Sequence, residues 1–145
     1  MIKHIIETTK HKLWVFYYLF LFCLKLLYRA IIHDFSKYGK WEAKYFIKVL
    51  PRLKKLTYGS QEYKNCLNEI KPAIDHHQKN NKHHPEYYDN LIDGMSLLDI
   101  VEMFYDWKAA TKRHENGNIN KSVEINAKRF HYNESLKNIL RNSIK

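Results

Sequence analysis

The adjacent residues His33 and Asp34 follow a long apolar segment, and their side chains are the clearest candidates for chemistry in this sequence. An imidazole and a neighbouring carboxylate can bind one divalent cation, or one each of a close pair of cations. A charged pair beside so much apolar sequence is costly unless something compensates it. A bound metal ion would do so, and other ligands must then come from elsewhere in the chain.

Further candidate ligands precede and follow this pair. Glu7 and His11 are four residues apart and share a helix face, which fits either a weak surface contact or two ligands aimed at one metal. Four of the nine histidines fall within nine residues, as His76, His77, His83 and His84. Such a cluster indicates a metal site, with a histidine-rich surface loop as the alternative.

An acidic strip borders the apolar face of a predicted helix over residues 96–113. Ser96 and Asp99 have the spacing of a capping box, which gives Asp99 a sufficient structural role. Glu102 and Asp106 have no such role and lie on the same side of the helix. In a protein of net charge +10, they indicate a bound cation or ion pairs with Lys or Arg on another helix.

The elements that must position these residues are predicted to be helices, because no period-2 alternation bounded by hairpin turns is present. With only four Gly and three Pro in 145 residues, we expect a single all-α domain of five or six helices over residues 1–145. The predicted helices cover residues 2–32, 41–56, 61–77 (kinked at Pro72), 96–113 and about 121–142, the last of these basic.

The run Leu13–Leu24 contains twelve consecutive apolar or aromatic residues. A membrane-spanning helix needs about 20, and no small-residue cleavage site follows the run. Charged or titratable residues also bracket it closely, namely His11, Lys12, Lys25 and Arg29. We therefore expect a central core helix and no membrane span.

The net charge of +10 favours an anionic partner, which could be a nucleotide, a nucleic acid or a membrane surface. A compositional bias of the source would explain the same excess. Cys23 and Cys66 lie far apart without a CxxC partner, so we expect buried free thiols in a reducing, cytoplasmic compartment.

The order of these residues resembles the HD-domain superfamily of metal-dependent phosphohydrolases, in which the last ligand is an aspartate on a later helix, as Asp106 would be. The HD-GYP branch is most similar: it has an HDxxK arrangement like His33-Asp34-Phe35-Ser36-Lys37, a second His-His pair like His76-His77, and an upstream Glu like Glu7. The Gly-Tyr-Pro loop of that branch is replaced here by residues 81–86, which argues against a cyclic-dinucleotide substrate.

The motifs HDxSK, HHxxxNxHHPEYY and EMxxDW are also similar to those of a small uncharacterised family found in phages, bacteria and large DNA viruses. This similarity extends from His11 to about Ala110 and carries no established activity. It implies a cytoplasmic protein, including the cytoplasm of a virus-infected host cell.

The resemblance implies one or two divalent transition metals, with Fe, Mn, Ni, Co and Zn all suited to mixed His and carboxylate ligation. The expected core ligands are His11, His33, Asp34, His77 and Asp106. His76, Glu7 and Glu102 are expected to bind a second metal or to orient the imidazoles.

A metal-bound hydroxide would attack a nucleotide or another small phosphate ester. Lys37 would neutralise the phosphoryl oxygens, and His83 or His84 would protonate the leaving oxygen. Substrate contacts are also expected from Lys40, Lys79 and Lys82.

Three other functions fit the sequence. The protein could be a catalytically silent metal-binding protein, although such a site would not require Lys37. It could perform oxygenase chemistry at a mixed-ligand iron site, as some HD-like proteins do. It could also be a basic helical protein that binds nucleic acid or a membrane surface without a metal, which predicts strongly salt-dependent binding to any polyanion. The oligomeric state is not predicted.

Overall fold

The structure is a computed structural model that describes residues 1–57, 59–114 and 116–144, and all regular structure in these residues is helical. The α-helices of the described residues are α1 Ile2–Ile32, α2 Lys40–Leu53, α3 Gln61–Asn68, α4 Lys71–Asn80, α5 Leu97–Thr111, α6 Ile119–Phe130 and α7 Glu134–Asn142. Short 3-10 helices cover Phe35–Tyr38, Pro85–Tyr87 and Leu91–Gly94. The prediction of an all-α fold is confirmed, with more helices than the five or six expected.

The chain divides into two compact units, Met1–His33 and Asp34–Lys145. The first unit is α1, and the second contains the remaining helices. Whether residues 1–145 form the single HD-like domain expected from the sequence stays a prediction.

The first unit is one continuous helix of 31 residues, which agrees with a segment that contains neither Gly nor Pro. None of its residues is buried. Phe16 and Leu19 in its apolar run are 67% and 60% exposed. The expectation that the run Leu13–Leu24 forms a central core helix is therefore wrong.

The segment predicted as one kinked helix over residues 61–77 is two helices, α3 and α4. Pro72 lies in the first turn of α4, where its missing N–H leaves no hydrogen bond unmade, so it starts a helix and does not kink one. The predicted N-cap of α3 is confirmed, because the side chain of Ser60 accepts a hydrogen bond from the backbone N–H of Tyr63 at 3.1 Å.

The basic C-terminal helix predicted over about 121–142 is also two helices, α6 and α7. His131 ends α6 in the left-handed region, with φ 56°. Asn133 then caps α7, its side chain accepting a hydrogen bond from the N–H of Leu136 at 2.9 Å. An Asn at this point in the sequence was the available sign of a new helix start.

The described residues of the second unit form three clusters of buried apolar side chains. One contains Val49, Cys66 and Ile70, and the other two are centred on α5 through Met103 and Phe104. The predicted Ser96–Asp99 capping box at the start of α5 is confirmed. Both cysteines are free thiols, but only Cys66 is buried as expected, because Cys23 lies exposed on α1.

Truncation of a core side chain on α5 tests this packing. Met103 is 1% exposed, and Met103→Ala is expected to lower the free energy of unfolding by about 2–5 kcal/mol, through lost apolar burial and the cavity left behind. Tyr105→Ala on the same helix is the matched control, since Tyr105 is 55% exposed. Urea unfolding of both variants should separate them, and equal stabilities would contradict this packing.

Candidate metal centre

The centre starts at Asp34, the first residue of the second unit. Asp34 adopts the left-handed conformation, with φ 56° and ψ 19°, and leads into the 3-10 helix Phe35–Tyr38. Asp is one of the few residues other than Gly that tolerate this conformation. Its carboxylate is thereby held in the second unit, only 14% exposed and ion-paired with Lys37.

Four side chains of the second unit converge here: Asp34, His77, His83 and His84. Each offers one ligand atom, and these atoms all lie within 4.8 Å of one another. His77 projects from α4, whereas the adjacent pair His83-His84 lies in the turn before the 3-10 helix Pro85–Tyr87. Asp34 Oδ1 is 3.0 Å from Nε2 of His77 and 3.4 Å from Nε2 of His83.

These separations suit a shared cation. Imidazole nitrogens and carboxylate oxygens bind zinc at about 2.0–2.2 Å, so neighbouring ligands around one ion lie roughly 2.8–3.6 Å apart, depending on its geometry. The two measured distances to Asp34 Oδ1 fall within that interval. The described side chains can therefore hold a metal ion, as the sequence predicted in general terms.

The carboxylate of Glu42 fixes the imidazole of His77 from the other side. Glu42 is 1% exposed at the start of α2, and its Oε2 lies 3.1 Å from Nδ1 of His77. Its Oε1 lies 2.7 Å from Nδ1 of His76, and Ser36 Oγ donates to Oε2 at 3.0 Å. A carboxylate that accepts Nδ1–H of an imidazole directs the Nε2 lone pair outward, as in many metal sites.

Glu102 has the same relation to His83. Its Oε1 lies 3.2 Å from Nδ1 of His83, and both side chains are less than 10% exposed. When each imidazole is neutral and donates its Nδ1–H to its carboxylate, the two Nε2 lone pairs face the same oxygen of Asp34. Three acceptors pointing at one another repel, and either a metal ion or additional protons would relieve that repulsion.

The pKa values of two groups in the cluster, Asp34 and His84, are both lowered, but for different reasons. Burial by itself raises the pKa of Asp34, but hydrogen bonds with His77 and His83 and the charge of Lys37 outweigh it, and the pKa lies far below its usual range. Burial, aided by the neighbouring imidazoles of His83 and His77, lowers the pKa of His84 to about 3. At neutral pH the cluster therefore contains a carboxylate and a neutral His84.

His84 fits the role of a ligand better than that of the predicted acid. Its Nε2 is buried and has no hydrogen-bond partner among the residues that the structure describes. A proton donor working near neutral pH needs a pKa near that pH, and the pKa of His84 is about 3. His83 is likewise placed among ligands, at 2% exposure between Asp34 and Glu102.

Two other predicted ligands of the second unit, His76 and Asp106, are not among these four residues. His76 contacts Glu42 and stacks on Trp41, 4.8 Å between ring centroids, with 48% of its side chain exposed. His76 therefore contacts Glu42 from the solvent-exposed side. Asp106 lies on α5, and its negative charge raises the pKa of His84 against the larger effects that lower it.

The predicted ligands of the first unit lie along one helix, and His11 and His33 are far apart on it. Glu7 and His11 are exposed on α1, where Glu7 pairs with Lys10. His33 follows the last residue of the same helix, 22 positions after His11. At 1.5 Å per residue this separation is roughly 33 Å along the helix axis, so one ion cannot bind both His11 and His33.

The predicted substrate lysines differ in exposure. Lys37 is partly buried, with 31% of its side chain exposed, and its Nζ lies 5.5 Å from the centroid of the Phe46 ring. The other three, Lys40, Lys79 and Lys82, are exposed.

The most important residue that the sequence reasoning missed is Glu42. It lies four and seven residues before Phe46 and Val49, on the apolar face of α2, and a carboxylate in that stripe was the available sign. Ser36 and Asn81 were also missed. Asn81 Nδ2 donates to Ser36 Oγ at 3.1 Å, and short polar side chains like these carry no distinctive pattern.

Comparison with known proteins places the whole chain in one family. The model of a family of unknown function, DUF5662, matches residues 1–145. The chain belongs to this family. No curated protein and no solved structure matches it. The DUF5662 match assigns no activity, and the resemblance to HD-domain phosphohydrolases stays a prediction.

The lowered pKa of His84 predicts a pH dependence of stability in metal-free protein. An unfolded chain protonates His84 near pH 6.5, but the folded protein does so only near pH 3. The contribution of His84 to the free energy of unfolding is therefore fully present above pH 6.5 and is lost as the pH falls. Between pH 7 and pH 5 this loss is about 2 kcal/mol. Asp34 contributes only below about pH 4, because its folded pKa is lowered.

Urea unfolding in EDTA at pH 7 and pH 5 measures this loss of unfolding free energy. The proteins compared are wild type, His84→Gln and His131→Asn. The loss should shrink by about 2 kcal/mol in His84→Gln. The control His131→Asn should behave as wild type, because His131 is exposed. An unchanged loss in His84→Gln would contradict the buried neutral imidazole.

Proposed function

We propose that the protein is a metal-dependent phosphohydrolase that acts on a nucleotide or another small phosphate ester. The observation that carries the proposal is the convergence of Asp34, His77, His83 and His84, whose ligand atoms lie within 4.8 Å of one another. The buried carboxylates of Glu42 and Glu102 support it further, because they orient two of the imidazoles toward Asp34.

The types of ligand in the cluster limit which metal ions are expected to bind there. Three imidazoles and one carboxylate suit Fe, Mn, Co, Ni or Zn better than Mg or Ca. Four protein ligands would complete a tetrahedral zinc site, whereas a six-coordinate ion would keep two positions for water and substrate. A hydrolytic role therefore favours Mn, Fe, Co or Ni, with one ion at this cluster.

When bound, such an ion lowers the pKa of a coordinated water from about 15.7 to near 7 and so supplies a hydroxide for attack on phosphorus. Asp34 and the three imidazoles would hold and orient the ion. Lys37 lies beside Asp34 and is partly exposed, so its ammonium could turn to a phosphoryl oxygen and neutralise its charge. The exposed Lys40, Lys79 and Lys82 are further candidates for phosphate contacts.

A catalytically silent metal site is the second candidate, and two observations favour it. The four protein ligands suffice for a closed tetrahedral zinc site. Lys37 is ion-paired with Asp34, which gives it a structural role without a substrate. Metal identity and turnover therefore have to be measured separately.

Metal affinity should fall in a graded way when the centre is altered. Glu42→Gln is expected to weaken binding of Mn²⁺ or Zn²⁺ about 10–100-fold, because it removes the carboxylate that orients His77. Asp34→Asn should weaken binding more, because it alters a ligand itself. Isothermal titration of metal-free, untagged protein with each ion measures both effects, alongside metal content by inductively coupled plasma mass spectrometry.

Two substitutions outside the centre serve as controls for that series. Glu69→Gln changes an exposed carboxylate paired with Arg52, and His131→Asn removes an exposed imidazole. Both should bind metal as wild type does. A wild type that binds none of the ions, or an Asp34→Asn variant with unchanged affinity, would overturn the metal centre.

Hydrolysis is tested on protein loaded with Mn, Fe, Co, Ni or Zn, by phosphate release from nucleoside mono-, di- and triphosphates. Lys37→Gln should reduce kcat about 100-fold, if its charge acts on the transition state, and should leave metal content unchanged. Lys48→Gln, an exposed lysine on α2, should leave kcat unchanged. Full metal occupancy with no phosphate release from any substrate would favour the silent site.

A further inference from the structure

The helix α1 presents an apolar surface that calls for an explanation independent of the metal centre. It is long and apolar enough to cross a membrane by length and composition, and none of its residues is buried. A soluble protein's core helix would have the same composition but would be mostly buried. That alternative is therefore excluded by the exposure of the helix.

The apolar surface surrounds the helix completely. The run Leu13–Leu24 is twelve residues long, which is more than three turns, so apolar side chains point in every direction. A helix that pairs with a second copy of itself would bury one stripe and leave the opposite face in water. Lipid acyl chains, in contrast, contact a helix on all sides.

The length of the apolar segment matches a bilayer once the residues after Leu24 are included. From Leu13 to Ile32 the helix has 20 residues, about 30 Å, which equals the thickness of the hydrocarbon core. The twelve residues before the first charge, that of Lys25, are too few by themselves to span it. Continuity of the helix to Ile32 extends the segment to the required length.

Two charged residues lie within this segment, Lys25 and Arg29, and their positions are compatible with a bilayer. They are four residues apart, so they share one face, in the last two turns before Ile32. Long basic side chains near a helix end can extend their charge to the interface.

The residues at and beyond the ends of the segment suit the two interfaces. Aromatic side chains that favour the headgroup region stand near both ends, with Trp14, Tyr17 and Tyr18 at the start and Tyr28 toward the end. Exposed basic residues flank the segment on both sides, as Lys10 and Lys12 before it and Lys40 after it. They would be attracted to anionic lipid headgroups.

From these observations we infer that residues 13–32 of α1 span a lipid bilayer and anchor the protein to a membrane. This reverses the expectation of no membrane span. A cleaved signal sequence is the competing explanation, although no small-residue cleavage site follows the apolar run. The inference does not depend on the proposed phosphohydrolase function.

The test uses the full chain expressed in bacteria and fractionated into soluble and membrane pools, with the membranes washed in alkaline carbonate. Wild type should remain in the washed membranes at its full mass. Leu19→Arg/Phe20→Arg should shift it to the soluble pool, with the membrane-to-soluble ratio falling about 100-fold or more, because two arginines oppose insertion. The matched control is Tyr105→Arg/Ile139→Arg, which adds the same charges at sites of similar exposure in the second unit and should stay in the membrane.

Cys23 provides a direct probe of insertion. It is exposed on α1, so a membrane-impermeant maleimide should label it in a water-soluble protein. In a spanning helix Cys23 should be labelled only after the membranes are dissolved in detergent, as peptide mass mapping would show. Wild type in the soluble pool, loss of the N-terminal segment from the mature protein, or labelling of Cys23 in intact membranes would each overturn the inference.

Discussion

A buried carboxylate, that of Glu42, is the constraint on which the candidate metal centre depends. An ionised carboxylate at 1% exposure is costly unless it is fully hydrogen-bonded. Here Ser36, His76 and His77 supply the contacts, from the segment before α2 and from α4. These contacts stabilise the buried carboxylate of Glu42, and they link the 3-10 helix Phe35–Tyr38 and α4 to α2. Because Nδ1 of His77 contacts Glu42, Nε2 of His77 faces Asp34.

The same logic applies on the other side of the cluster, where Glu102 of α5 contacts His83. Two carboxylates therefore hold two imidazoles from behind, and a third carboxylate, Asp34, stands in front of them. The arrangement places negative charge and lone pairs around a small volume in a protein whose net charge is +10. A divalent cation is stabilised by such a local excess of negative charge.

Periodicity and capping residues were sufficient to predict the all-α class and most helix starts, because Ser60 and Ser96 act locally on the helices that they begin. The boundaries at Pro72 and His131 were missed, since each was assigned to the interior of a helix. Residue type and clustering predict Asp34 and His77 as ligands, and they place His83 and His84 in the same site as proton donors. Their mutual distances and the contribution of Glu42 depend on tertiary packing, which no local pattern encodes. The core assignment of α1 failed because composition alone does not distinguish burial in protein from exposure.

The claim that Asp34, His77, His83 and His84 together bind one metal ion is tested most directly by anomalous X-ray diffraction from crystals of manganese- or zinc-loaded protein. We predict one strong anomalous peak about 2.0–2.3 Å from Oδ1 of Asp34 and from a ring nitrogen of each histidine. A peak elsewhere in the chain, or none at full metal loading, would contradict the account. In that event the buried carboxylates and imidazoles would be balanced by protons alone.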